Sequence, residues 1–110
     1  MEQESAILAL AALAQSTRLE TFRLLVKASP DGLPAGEIAR SLAVPHNTMS
    51  THLNILARAG LISAERRSRL IVYRAEITRL SDLTLFLVKD CCGSNPDLCA
   101  PLIAELEPCC

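Results

Sequence analysis

PAGEIARSLAVPHNTMSTHLNILARAGLISAERRSRLIVYR, residues 34–74, is the stretch that decides the fold. Pro34 suits the first position of a short helix through Leu42, because its missing N–H would be unpaired there anyway. Ala43-Val44-Pro45 breaks the chain tightly before a further helix that runs to Ala59, and Gly60 stops it. Two helices joined by so short a turn are a helix-turn-helix candidate. From Leu61 to Arg74 the pattern turns strand-like, with a polar tip from Glu65 to Arg69 and the β-branched and aromatic run Leu70-Ile71-Val72-Tyr73, which reads as a β-hairpin.

Upstream, apolar Ile7, Leu10, Ala11 and Ala14 recur at helical spacing between Ser5 and Gln15. Thr17-Arg18-Leu19-Glu20 matches a capping box and opens a second helix, whose buried stripe is expected to be Leu19, Phe22 and Leu25 or Val26. Ser29-Pro30-Asp31-Gly32 ends it. Downstream, a long helix is expected from Ile77 to Cys92, with the regular stripe Leu80, Leu83, Thr84, Leu87, Val88 and Cys91, capped by Gly93. A short helical tail follows from Pro101 to Leu106. The expected fold is mainly α with a small β-hairpin: a winged helix-turn-helix over residues 1–92, carrying N- and C-terminal dimerisation helices, and a cysteine-containing tail over 93–110.

A chain of 110 residues allows one ordinary domain and excludes a second catalytic one. Only 3% of residues are aromatic, so the core must be built from Leu, Ile, Val and Ala, which favours helices. The longest apolar run, Ala6 to Ala14, is far shorter than the ~20 residues that a membrane span needs, so a cytoplasmic protein without a membrane partner is expected. The net charge of -1 hides an uneven distribution. Residues 34–74 hold Arg40, Arg58, Arg66, Arg67, Arg69 and Arg74 against Glu37 and Glu65 alone, whereas in 75–110 acids outnumber bases. The middle third is a basic block.

With Met49 as reference at 100° per residue, Leu53 and Leu56 lie within about 40° of it and form the buried face of the fourth helix. Asn47, Ser50, Thr51 and Asn54 then point away, as short donors and acceptors able to enter a major groove and reach base edges. His46 and Thr48 sit at the N-terminal turn, where the helix dipole favours phosphate. His52, some 60° from Met49 on the same wheel, reads as a packed or phosphate-touching residue rather than a base reader. Arg66, Arg67 and Arg69 crowd the hairpin tip with Glu65 nearby, an arrangement suited to neutralising phosphates beside the minor groove.

Thr17-Arg18-Leu19, NTMSTHLNILARAGLI at 47–62 and RRSRLIVYR at 66–74 together resemble the ArsR/SmtB family of dimeric, metal- and metalloid-responsive bacterial repressors. The similarity covers roughly residues 6–90. The resemblance implies a non-enzymatic homodimer, formed through the first and last helices, that binds an inverted-repeat operator and releases it when an inducer binds. Expected interface residues are Ile7, Leu10, Ala11, Leu80, Leu83, Thr84, Leu87 and Val88; the long stripe of the last helix independently asks for a partner. A common inducer site of the family uses a cysteine motif on the third helix, but that segment here, LPAGEIA, has no Cys. The last helix also lacks the His and acid pairs of zinc- or cobalt-sensing relatives, Asp82 being insufficient alone.

All five cysteines lie between residues 91 and 110, which a disulfide-stapled secreted fold would not do, since staples tie distant segments together. Cys91-Cys92 ends a helix, Gly93 and Pro96 turn the chain, and Cys99 follows seven residues after Cys92, so three thiols can converge. Three thiolates suit trivalent arsenic or antimony, whereas zinc normally takes four ligands; Cys109 or Cys110 would complete such a set. Adjacent cysteines do not form a relaxed disulfide, because their Cα atoms are about 3.8 Å apart and a bridge needs about 4.4 Å or more. The expected function is an arsenite-responsive repressor. Its competitors are a thiol-redox-responsive repressor and a metalloid carrier that does not use DNA; the carrier is opposed by the absence of C-x-x-C and of a positioned base.

Overall fold

Ala43 and Gly60, both in the left-handed backbone region at φ 54° and 77°, bracket the helix at the centre of the fold. The computed structural model describes residues 1–94 together with Pro101 and Glu105, and over 89–94 it describes the backbone alone. The elements run α1 (Gln3–Leu13), α2 (Ser16–Lys27), β1 (Leu33–Pro34), α3 (Ala35–Leu42), α4 (His46–Arg58), β2 (Ile62–Arg67), β3 (Leu70–Ala75) and α5 (Ile77–Ser94). At Ala43 the left-handed turn lets its own N–H and that of Val44 close on the carbonyls of Arg40 and Ala39, a Schellman-type end to α3. At Gly60 the same device returns the Leu61 N–H to the Leu56 carbonyl at 3.1 Å, which ends α4 and aims the chain into β2.

α4 sits on the core through Met49, Leu53 and Leu56, all fully buried, as its spacing predicts. They meet Leu25 of α2, Ile38 of α3 and Leu61, which are also fully buried. Each such aliphatic side chain contributes about 1.5–3 kcal/mol relative to exposure, so the helix has one favourable rotation about its axis. Thr21 is the buried polar residue of the core; its hydroxyl donates to the Thr17 carbonyl at 2.7 Å.

Several boundaries and faces differ from the sequence expectation. The first turn of α2 is capped not by Thr17 but by Gln15, whose Oε1 accepts the Arg18 N–H at 2.9 Å from an extended backbone, so the Thr-Glu pair lies inside the helix. Leu19 stays exposed, and Thr21, Phe22 and Leu25 form the buried stripe. α1 turns Ala6, Ala9 and Ala12 inward, where their small side chains permit close approach of the helix to the core, and leaves Ile7, Leu10 and Ala11 outside. Pro34 is the N-cap of α3 rather than its first residue. α5 continues through Gly93 to Ser94, so the glycine does not cap it.

The hairpin gains a third strand. Leu33 is held extended by the proline that follows it, and Leu33-Pro34 pairs antiparallel with Tyr73 and Val72, giving the order β1-β3-β2. Gly32, at φ 79°, makes this pairing possible: a Cβ there would lie 2.4 Å from the Tyr73 carbonyl oxygen and 2.7 Å from Arg74 Cγ. Gly32→Ala is therefore expected to cost about 2–4 kcal/mol, from the left-handed backbone and the backbone clash together. By circular dichroism the thermal midpoint should fall by about 10 °C or more; a midpoint unchanged within error would mean that β1 does not pack as described.

Candidate nucleic-acid interface and effector segment

Because one face of α4 is fixed in the core, the opposite face is presented as a rigid unit. His46, Asn47, Thr48, Thr51 and Asn54 are exposed, and Ser50 and His52 are half-buried. The hydroxyls of Ser50 and Thr51 donate back to the carbonyls of His46 (3.1 Å) and Asn47 (3.4 Å), which leaves their oxygens facing outward as acceptors. Asn47 Oδ1 accepts the Thr48 N–H at 3.1 Å. The N-cap, Pro45, offers no side-chain hydrogen bond to the first turn. Apart from His46 and Arg58, α4 thus presents short polar groups on a convex surface that a major groove can accommodate.

The hairpin β2–β3 projects Arg66, Arg67 and Arg69, all exposed. Glu65 is shared between two of the wing's arginines: Arg74 Nη1 donates to Oε2, and Arg67 Nε lies 3.3 Å from Oε1. Its carboxyl is held below the ordinary value, first by the Arg74 hydrogen bond and then by Arg67. Since the folded-state value is depressed, this favours the folded wing above the usual carboxylate range and is lost as pH falls through the lowered value. Arg74 also donates to the Pro30 carbonyl at 3.1 Å, bracing the wing's base against the turn before β1. Among the described residues Arg66 and Arg69 have no ion pair. The basic tip is therefore divided between one arginine held by Glu65 and two that are uncompensated.

Of the expected interface residues, Leu83 is turned into the chain's own core and Leu80 packs beside it, while the Thr84 hydroxyl donates to the Leu80 carbonyl at 2.9 Å. Leu83 thus offers almost no free area on the single chain. Ile7, Leu10 and Leu87 are exposed at 56%, 41% and 53%; Val88 is half-buried. Leu8, Leu85 and Phe86, which the spacing did not single out, are exposed as well. α1 and α5 therefore carry unpartnered apolar surface of the kind that association covers.

α5 carries Cys91 and Cys92 in its last turn, while Cys99, Cys109 and Cys110 lie outside the described residues. The expected tail helix falls there too, apart from Pro101 and Glu105, both in helical conformation. Among the described residues no group of three or more His, Cys, Asp or Glu is placed to hold a metal ion. No helix among them is long and apolar enough to cross a membrane.

Sequence reasoning missed Arg18. Its Nε donates to the Ala12 carbonyl at 2.6 Å and its Nη1 lies 3.5 Å from His52 Nδ1, so one guanidinium joins α1, α2 and α4. It also missed the contact of α5 with the end of α4, where the Glu76 N–H donates to the Leu61 carbonyl at 2.8 Å and the Arg79 guanidinium lies over Gly60. Neither the Arg18–His52 contact nor the Glu76–Leu61 contact has a local signal, because the partners are far apart in the chain.

Residues 13–63 match the family model of a helix-turn-helix domain. No curated protein matches the chain in sequence. Among solved structures, an ArsR-like transcriptional regulator from Rhodococcus sp. RHA1 is 27% identical with a TM-score of 0.72, over 94% of this chain and 92% of its own. A structure described as a possible transcriptional regulator for arsenical resistance is 25% identical with a TM-score of 0.64, over 74% and 81%. The homodimeric winged helix-turn-helix DNA-binding domain of a possible ArsR-family regulator from Mycobacterium bovis, 23% identical with a TM-score of 0.65 over 81% of each chain, shares the fold.

Proposed function

We propose that this chain, a winged helix-turn-helix protein that matches ArsR-type regulators in fold and sequence pattern, is a homodimeric transcriptional repressor of a metalloid-resistance operon. It grips an inverted-repeat operator in the cytoplasm and lets go when trivalent arsenic or antimony is bound by Cys91, Cys92 and Cys99. The observation that carries the DNA-binding part is the division of α4, with Met49, Leu53 and Leu56 fully buried and the polar face of Asn47, Thr51 and Asn54 exposed. Beside that face stands a wing bearing two uncompensated arginines. Asn47, Ser50, Thr51 and Asn54 read base edges, His46 and Thr48 meet phosphate at the helix start, and the wing arginines neutralise the backbone.

The effector part rests on donor chemistry. Thiolate sulfur is soft, and three such donors match the pyramidal preference of trivalent arsenic and antimony. The described residues offer no rival cluster, and α5 carries two of the three sulfurs on adjacent positions. A structure of 25% identity described as a possible regulator for arsenical resistance is consistent with this choice. When bound, the metalloid supplies a three-way link between the end of α5 and the segment that follows it.

The test is DNA binding by the purified chain to a duplex that it selects from a random pool, followed by arsenite titration. Sequence-selective binding that arsenite reverses supports the proposal, and failure to select any sequence sinks it. For the wing, Arg66→Ala and Arg69→Ala are each expected to weaken binding across sequences and to reduce the slope of log affinity against log salt by about 0.9, one phosphate contact each. Arg67→Ala should change it less, because Glu65 already holds that side chain. Equal slopes in all three variants and the unaltered protein would remove the wing from the phosphate backbone.

A further inference from the structure

We propose that His52 is a phosphate donor at the flank of the reading face and that Arg18 is the residue that positions it and sets its tautomer, an inference that rests on the DNA-binding reading above. Arg18 is the third residue of α2, and its Nε is anchored 2.6 Å from the Ala12 carbonyl. That carbonyl belongs to the last turn of α1, where carbonyls have no partner within the helix. The anchor holds the guanidinium so that Nη1 faces the imidazole of His52 at 3.5 Å from Nδ1. No carboxylate pairs with Arg18 among the described residues. Its cation therefore serves neither a salt bridge nor an exposed surface, since the side chain is half-buried.

A guanidinium has donors only, so a hydrogen bond across this contact requires the ring nitrogen facing it to offer a lone pair. A neutral imidazole that accepts at Nδ1 carries its hydrogen on Nε2, which makes the opposite edge of the ring a donor. Among the described residues Nε2 has no partner. On the helical wheel His52 lies between buried Met49 and exposed Thr48, at the edge where the reading face gives way to the body. With Asn47, Thr51 and Asn54 in the groove, that edge faces a strand of the DNA backbone, and an N–H there meets a phosphate oxygen. Arg18 adds positive potential behind the ring without reaching the phosphate itself.

The tautomer is read first, without DNA, from the imidazole 15N shifts of the full chain at pH 7.5, with His52 assigned by comparison with His52→Gln. A protonated Nε2 and bare Nδ1 at His52, with that preference lost in Arg18→Met, supports the arrangement; a protonated Nδ1 in the unaltered protein overturns it. Affinity for a selected duplex is then measured by fluorescence anisotropy across a salt series. His52→Ala is expected to weaken binding by about five- to tenfold with the salt slope unchanged, because a neutral donor releases no counterion. His52→Gln, which keeps an N–H near the Nε2 position, should regain most of the loss. Arg18→Met should weaken binding comparably, and the double variant should be no worse than about twofold beyond the weaker single variant. Unaltered affinity in His52→Ala overturns the donor role. Losses that multiply in the double variant, or a slope reduced by a full phosphate contact in Arg18→Met, overturn the positioning role. Failure of the unaltered chain to select any duplex strikes instead at the DNA-binding reading and leaves the tautomer result standing.

Discussion

Leu10→Glu and Leu87→Glu, each introduced alone, are expected to convert the proposed dimer to a folded monomer and to lower affinity for an inverted-repeat duplex by about a hundredfold or more. Leu10 and Leu87 are 41% and 53% exposed on α1 and α5, where Ile7, Leu8, Leu85 and Phe86 add to the uncovered apolar surface. In a two-fold dimer each substitution acts twice. Losing one buried leucine removes about 1.5–3 kcal/mol per copy, and an unpaired carboxylate forced into an apolar interface costs more still. The monomer itself should survive, because neither side chain belongs to the buried core cluster. The DNA effect follows from linkage: two reading helices held together bind the second half-site as an intramolecular event, and separate monomers lose that effective concentration. Sedimentation equilibrium gives the mass, circular dichroism the fold, and anisotropy the affinity. A mass that stays at twice the chain in both variants would place the interface elsewhere.

The helical parts of this fold were legible because their signals are local. Met49, Leu53 and Leu56 recur at the period of a helix, and Gly60 marks a real left-handed stop. β1 was not legible, since two residues carry no periodicity and their strand exists through β3, some forty residues later. Gln15 is not the cap that residue type suggests, Thr17 being the chemically commoner choice, although its amide oxygen reaches the Arg18 N–H as a shorter side chain would. On α5 the regular stripe is divided between two uses that spacing cannot separate: Leu83 fills the chain's own core, whereas Leu87, one turn on, stands in the open. The polar face of α4 was readable as a face, but the coupling of its His52 to Arg18 depends on how α2 crosses α4. The sulfur cluster rests on residue type and spacing, with Cys99, Cys109 and Cys110 outside the described residues.

Serine at Cys91, Cys92 and Cys99 together should leave DNA affinity within about twofold of the unaltered protein and abolish its response to arsenite. Serine keeps the size of each side chain but replaces an ionisable, soft sulfur by a hard hydroxyl that does not bind trivalent arsenic. Loss of a single sulfur leaves two donors, so each single variant should need far more arsenite for the same release, while Cys109→Ser and Cys110→Ser should respond as before. The signal has a short route to the DNA. α5 leaves the wing beside the end of α4, with the Glu76 N–H on the Leu61 carbonyl and the Arg79 guanidinium over Gly60. A tilt of α5 imposed at its cysteine end would thus act where the proposed reading helix stops, as well as on the face proposed to join two copies. A coupling of about 1–3 kcal/mol per site weakens binding by about 5- to 150-fold, and two sites per dimer compound it. Bound arsenic counted per chain alongside release by anisotropy separates loading from response. Release retained by the triple variant would reject the three cysteines. Full loading with DNA still held would reject the coupling, and release by peroxide but not by arsenite would turn the same thiols into a redox sensor.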